Sequence, residues 1–241
     1  MSEHQTIQVN FGRPLPLFPL ASVTLMPHAV LPVHIFEDRY RRMVSDALDT
    51  HGQIAMAVFD GPASQWQADY AGRPPVRPAV CVGQIVQHHK LEDGRYNIAL
   101  QGVCRARVVQ ELGEELTERP YRLAMLEPVG IDRDDDEQTL QERRVLGGLL
   151  AGTRLVECKD TATILKHLAD DGVPTTAILE LVTYSLLPDP ELRYRLLAEG
   201  DVLQRAGIIR DQLTRLRRLL DQAAQLREAD TKKAPKGASW N

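Results

Sequence analysis

Residues 15–42 read LPLFPLASVTLMPHAVLPVHIFEDRYRR, and this stretch decides the fold. Leu15, Leu17, Phe18 and Leu20 form a short apolar run cut by Pro16 and Pro19. Proline inside such a run predicts an edge strand or a bulge. Met26 and Pro27 turn the chain, and Val30 to Phe36 makes a second β-leaning run around Pro32. From Glu37 the period changes. Tyr40, Met43, Val44, Ala47 and Leu48 recur at helical spacing, and Glu37 and Asp38 sit where acids suit a helix N-terminus. The reading is strand, turn, strand, helix.

Outward from this stretch the signals stay β-rich. Ile54 to Phe59 is a short apolar strand. Residues 60–79 form a long proline-bearing loop, read as a surface insertion. Val80 to Leu91 and Arg95 to Val103 flank Asp93-Gly94, a hairpin signal whose two central positions both favour positive φ. A two-residue turn there sets Cys104 opposite Gly83 and brings Cys81 within diagonal reach of it. Both cysteines read as small core residues, with a redox pair the less favoured alternative. Cys104 to Leu112 and Tyr121 to Val129 supply two more strands. Six or seven short strands with one inserted helix predict a partly closed barrel.

The charge run Asp132 to Glu137 reads as a linker, and the chain beyond it is helical. Pro174 and Asp189-Pro190 mark helix starts, and Asp201 is placed to cap the longest helix. In that helix Val202, Ala206, Ile209, Leu213, Leu216, Leu220 and Ala223 alternate steps of four and three. Such a seam serves a bundle or a dimer. The organisation is therefore 1–130 as a β-rich domain, 131–230 as a helical bundle, and 231–241 as a disordered tail.

The wording of Leu15 to Pro19, Pro27, and Leu31 to Tyr40 resembles the opening of the Lon substrate-binding domain, the N-terminal domain of Lon proteases. His28 stands where that family usually has glycine. Gly83, Ile85, Asp93, Gly94, Arg95, Tyr96, Gly102 and Arg105 continue the likeness through the hairpin, as does Pro120-Tyr121. The runs 186–192 and 196–202 look like the family's helical part, although Arg193-Tyr194 departs from its usual Lys-Gln. The resemblance covers about residues 13–225. It implies an α+β fold: a barrel-like (pseudo-PUA), mostly antiparallel sheet with an inserted helix, followed by a C-terminal helical bundle with a long last helix.

It also implies a function. Glu37, Arg39, Tyr40, Asp93 and Arg95 match family positions, and the plainer reading is that they tie helix, hairpin and first strands together. The functional reading is a peptide-binding groove in which Phe36, Arg39 and Tyr40 contact an extended polypeptide beside an exposed strand edge. Unfolded or tagged polypeptide is the expected partner, with a separate Lon protease as a second one, and the chain is expected to act as a stand-alone adaptor, as monomer or dimer.

Chemistry is expected to be absent. No G-x-x-x-x-G-K-[ST] occurs, so no phosphate-cradling loop is available, and no serine-lysine pair stands out as a protease centre. His88 and His89 are adjacent on a strand and point to opposite faces, which rules out a shared metal. No cofactor or metal is expected. The net charge of −4 disfavours nucleic acid; RNA binding through the PUA-like sheet, with Arg73, Arg77, Arg95, Arg105 and Arg107 as its cations, is the alternative. No apolar run approaches the ~20 residues of a membrane span, and the N-terminus lacks a signal peptide's apolar core. With three cysteines, Cys81, Cys104 and Cys158, and no CxxC spacing, the expected compartment is the cytoplasm.

Overall fold

The computed structural model describes residues 7–61, 74–113, 119–130 and 136–233, with side chains to residue 227. The chain forms two compact units, one made of 1–133 with 187–202, the other of 134–186 with 203–241. Most of the long proline-bearing loop, the linker residues 131–135 and the tail from 234 lie outside the described residues.

The first unit is a six-stranded sheet in the order β2-β5-β4-β3-β1-β6, closed by a further pairing of β5 with β6. The strands are β1 (Leu15–Leu20), β2 (Val30–Ile35), β3 (Gln53–Val58), β4 (Ala79–Lys90), β5 (Tyr96–Glu111) and β6 (Arg122–Pro128). All pairings are antiparallel except β1 with β3. Five strands thus close a barrel, and β2 extends it as an edge on the first half of β5. Leu15, Leu17, Ala55, Ala57, Val80, Val82, Ala106, Ala124 and Leu126 fill the interior. The alanines suit the narrow taper of a small barrel. Helix α1 (Asp38–Leu48) packs over β1 and β3 and buries Tyr40, Met43, Val44 and Ala47.

Several expectations are corrected. The prolines of β1 do not make it an edge strand. β1 pairs with β6 through Leu15–Leu17 and with β3 through Leu17–Leu20. Pro16 and Pro19 each fall where only one side has a partner, so neither missing N–H breaks a ladder on both sides.

The hairpin turn is wider than two residues. Leu91 N–H donates to the Arg95 carbonyl and Gly94 N–H to the Leu91 carbonyl. Only Gly94 has positive φ, at 82°. The register shifts by one, so Lys90 pairs with Tyr96; a bulge between Ile85 and Gln87 and another across from Val82/Gly83, one on each strand, cancel each other. Cys104 therefore faces Val82 while Cys81 faces Arg105. Cross-strand partners share a face and neighbours alternate, so the two thiols point to opposite sides of the ribbon. The redox-pair alternative fails on this geometry, and the three cysteines are thiols.

The strands expected at 95–103 and 104–112 are one strand, β5, of sixteen residues. It serves β2 early and β6 late, with the bulge at the change-over. Gly102 sits there because a β-carbon would collide with the Met26 carbonyl oxygen.

Helix α5 (Pro190–Ala198) belongs with the sheet, whereas the sequence alone groups 131–230 together. Asp189 caps it by accepting from Leu192 N–H at 2.7 Å. It packs on β4 and β5. Ala79 N–H donates to the Tyr194 hydroxyl at 2.9 Å, and the Arg77 guanidinium lies 3.4 Å from the Tyr194 ring centroid.

The second unit holds α2 (Glu137–Ala151), a 3-10 turn (Arg154–Glu157), α3 (Thr161–Leu168), α4 (Thr175–Leu186) and α6 (Val202–Lys233). Asp136 and Thr139 form a reciprocal capping box at the start of α2. The heptad seam of α6 is buried at Ala206, Ile209 and Leu213, and beyond them Leu219 and Leu226 are exposed.

Candidate functional site

An exposed apolar surface of the first unit lies along its edge strand. In β2 the side chains of Val30, Pro32 and His34 face outward, while Ile35 is buried. Period-two alternation puts Phe36 on that same side, and it stacks on His34 with ring centroids 6.3 Å apart and planes at 23°. Val30 is 48 % and Phe36 53 % exposed. Val86, in the β4 bulge, is 49 % exposed. Among the described residues, β2 pairs only with β5, so its second edge has no strand neighbour.

Polar groups at the hairpin tip hold one end of this surface. Arg95 donates to His34 Nε2 at 3.4 Å, and His34 Nδ1 lies 2.7 Å from Asn97 Oδ1. An arginine can only donate, so Nε2 accepts and Nδ1 carries the proton. Arg95 also binds the Asp93 carboxylate at 2.6 Å. That hydrogen bond, with a second from the Arg95 backbone, holds the Asp93 carboxyl below its usual range. Arg41 donates to the Asp93 carbonyl at 3.0 Å and pairs with Asp38. The tie between helix and hairpin is therefore made by Arg41, while Arg39–Glu37 and Arg95–Asp93 are local pairs.

The three residues expected in a groove are not brought together. Phe36 is on the surface. Tyr40 is 6 % exposed and stands edge-on to Phe18. Burial is the largest cause pushing its hydroxyl up to about 12, with Arg39 opposing and Glu37 adding. Arg39 covers the Tyr40 ring at 4.6 Å and is held by Glu37. Sequence reasoning missed Val30 and Pro32. The alternation within VLPVHIF carried the signal, because residues 30, 32, 34 and 36 share a face.

A smaller cleft of about 230 Å³ lies between the start of β1, the end of α1 and the start of β6. There Tyr121 donates to Asp46 Oδ2 at 2.8 Å, and Arg42 pairs with Asp46 at 2.8 Å. Burial first, then Asp46, pushes the Tyr121 hydroxyl up to about 12. Among the described residues no cluster of three or more His, Cys, Asp or Glu is placed to hold a metal ion, and no helix is long and apolar enough to cross a membrane.

Comparison with known proteins gives this geometry a family. The family of the ATP-dependent protease La (LON) substrate-binding domain matches residues 14–215. The chain belongs to the Lon substrate-binding domain family. It is 25 % identical over 221 residues to a Lon protease of Trichlorobacter lovleyi, covering 89 % of this chain and 25 % of that protein. It is 29 % identical over 125 residues to the Escherichia coli K12 Lon protease, covering 51 % of this chain and 15 % of that one. The chain thus spans a quarter or less of these relatives. The fold is that of the N-terminal domain of Mycobacterium avium complex Lon protease, with a TM-score of 0.59, 17 % identity, and coverage of 84 % of this chain and 98 % of that chain. A Lon N-terminal domain protein from Xanthomonas campestris is similar at TM-score 0.54 and 22 % identity, over 81 % of this chain and 95 % of that one. As a Lon substrate-binding domain, the chain is a substrate-recognition module built on an α+β fold.

Proposed function

We propose that this chain captures extended, apolar polypeptide segments along β2 without performing a reaction on them, as a non-catalytic adaptor. One observation carries the reading: an edge strand whose outward stripe, Val30, Pro32 and Phe36, is apolar and exposed. An incoming strand adds backbone hydrogen bonds at the open edge, and its alternate side chains rest on the stripe. Pro32 offers no N–H, which limits the ladder and keeps capture short and reversible rather than aggregating. Family membership supports polypeptide as the ligand class. In this reading the compartment is the cytoplasm and a separate Lon protease is the second partner.

The arginines that an RNA-binding reading needs are engaged within the fold. Arg77 pairs with Glu191, Arg95 with Asp93 and Arg107 with Glu127, and Arg105 is 4 % exposed. Arg73 lies outside the described residues. This favours polypeptide over nucleic acid.

The test is fluorescence anisotropy of the chain against labelled unfolded casein, with single-stranded RNA in parallel, at two salt concentrations. Saturable casein binding that survives salt and weakens about tenfold, or ~1.4 kcal/mol, in Phe36→Asp and Val30→Asp supports the proposal. Casein binding indifferent to both substitutions, or RNA binding that falls steeply with salt, sinks it.

A further inference from the structure

The second unit carries a groove that its own packing does not explain. It runs between α2 and α3, has a volume of about 670 Å³, and is walled by Leu140, Arg144 and Gly147 on one side and Leu165, Leu168 and Ala169 on the other. Leu140 is 37 % exposed at its end. Residues 140, 144 and 147 lie at helical spacing, so this wall is one continuous face of α2.

Gly147 and Gly148 occupy the middle of this helix. Each costs about 0.8–1 kcal/mol against alanine in a helix interior. The usual structural reasons are absent. Neither has positive φ, and a β-carbon on either would meet nothing within 4 Å. At Gly147 no side chain of α2 enters the groove, and the space a β-carbon would take there is open.

We infer that the α2–α3 groove receives an amphipathic helix of a partner protein, whose aliphatic face lies on Leu140, Leu165, Leu168 and Ala169 and whose backbone comes close at Gly147. Backbone accounting selects a helix over an extended segment. The groove walls are helices with internally bonded backbones, so an extended chain laid there would bury unpaired N–H and C=O groups. A helix arrives with its own bonds made. Charge sets its flanks. Among the described residues, the exposed Arg144 reaches only Gln141 Oε1, at 3.4 Å. Asp171 stands exposed on the opposite wall. The fitting helix carries an acid on the Arg144 side and a base on the Asp171 side. This surface is separate from the β2 stripe and belongs to the other unit.

The probe is a stapled helical peptide of about 15 residues, stapled because isolated helices of that length are marginal. It has leucine and alanine on one face, glutamate on one flank and lysine on the other, and binding to the full chain is read by anisotropy. The expected result is saturable binding, lost at least tenfold in Gly147→Leu. In Arg144→Glu binding falls and returns with a peptide of reversed charges. Gly147→Ala raises the Tm yet weakens binding, whereas Gly148→Ala, outside the groove, raises the Tm and leaves binding unchanged. Absence of saturable binding by either peptide, or binding indifferent to Gly147→Leu in a protein that remains folded by circular dichroism, overturns the inference.

Discussion

The ring of Tyr40 stands edge-on to the ring of Phe18, with centroids 4.8 Å apart and planes at 72°. This contact joins α1 to β1 and makes Tyr40 a core residue, while Phe36, four residues earlier, remains 53 % exposed. The two aromatics should therefore separate cleanly by experiment. Tyr40→Ala should cost about 3–5 kcal/mol, as large aromatic truncations in a core do. Phe36→Ala should stay within about 0.5 kcal/mol of wild type. Urea unfolding midpoints of the two variants check this.

Gly102 allows the turn after β1 to close against β5. His28 N–H donates to the Gly102 carbonyl and Gly102 N–H to the Ala29 carbonyl. A methyl group at Gly102 would collide with the Met26 carbonyl, a backbone atom that has no rotamer to yield. Gly102→Ala should destabilise by at least the ~1–3 kcal/mol of an overpacked site. A thermal melt measures the effect, and an unchanged Tm would refute it.

Arg143 caps α3 from a neighbouring helix. Its guanidinium donates to the carbonyls of His167, Leu168, Asp170 and Val173, at 2.5 to 3.1 Å. These are carbonyls of the C-terminal end of α3 and the turn beyond it, left over when a helix stops. Arg143→Met should cost on the order of 3 kcal/mol, since it strands several of them at once. Arg143→Lys should rescue little, because an ammonium lacks the planar fork that serves several acceptors. Hydrogen exchange of α3 amides would report the fraying locally.

Two tyrosines give the fold an alkaline limit. Tyr40 and Tyr121 are both raised from 10.0 to about 12, chiefly by burial. A raised folded-state value means that the protonated form is the one the fold favours. The associated stability is fully present below pH ~10 and is lost as pH climbs from there toward 12, because the unfolded chain releases these protons first. Phenolate absorbance should show Tyr40 and Tyr121 ionising together with alkaline unfolding. In Tyr40→Phe the loss of stability across this pH range should be smaller.

Much of the architecture was legible because it rests on short-range rules. The change from β-leaning runs to helical spacing at Glu37 reflects side-chain periodicity, and α1 begins at Asp38. The hairpin at Asp93-Gly94 needed only one residue at ease with positive φ, and Gly94 supplies it. Asp189-Pro190 starts α5 through a local cap. Of the residues expected in a groove, the sequence separates none by exposure. Phe36 stands on the exposed side of an edge strand, but Tyr40 carries the same aromatic signal and is buried.

The sequence by itself determined the order of elements, the family and the apolar character of β2, since these depend on neighbours a few residues apart. Only the tertiary structure decided the rest. A one-residue change in turn geometry turned Cys81 and Cys104 to opposite faces. Partial pairing on each side of β1 made its prolines harmless. The return of α5 to the sheet, sealed by Ala79 on Tyr194, joins residues 115 positions apart. Each of these outcomes depends on which surface a segment meets once the chain has closed, and local spacing carries no record of that meeting.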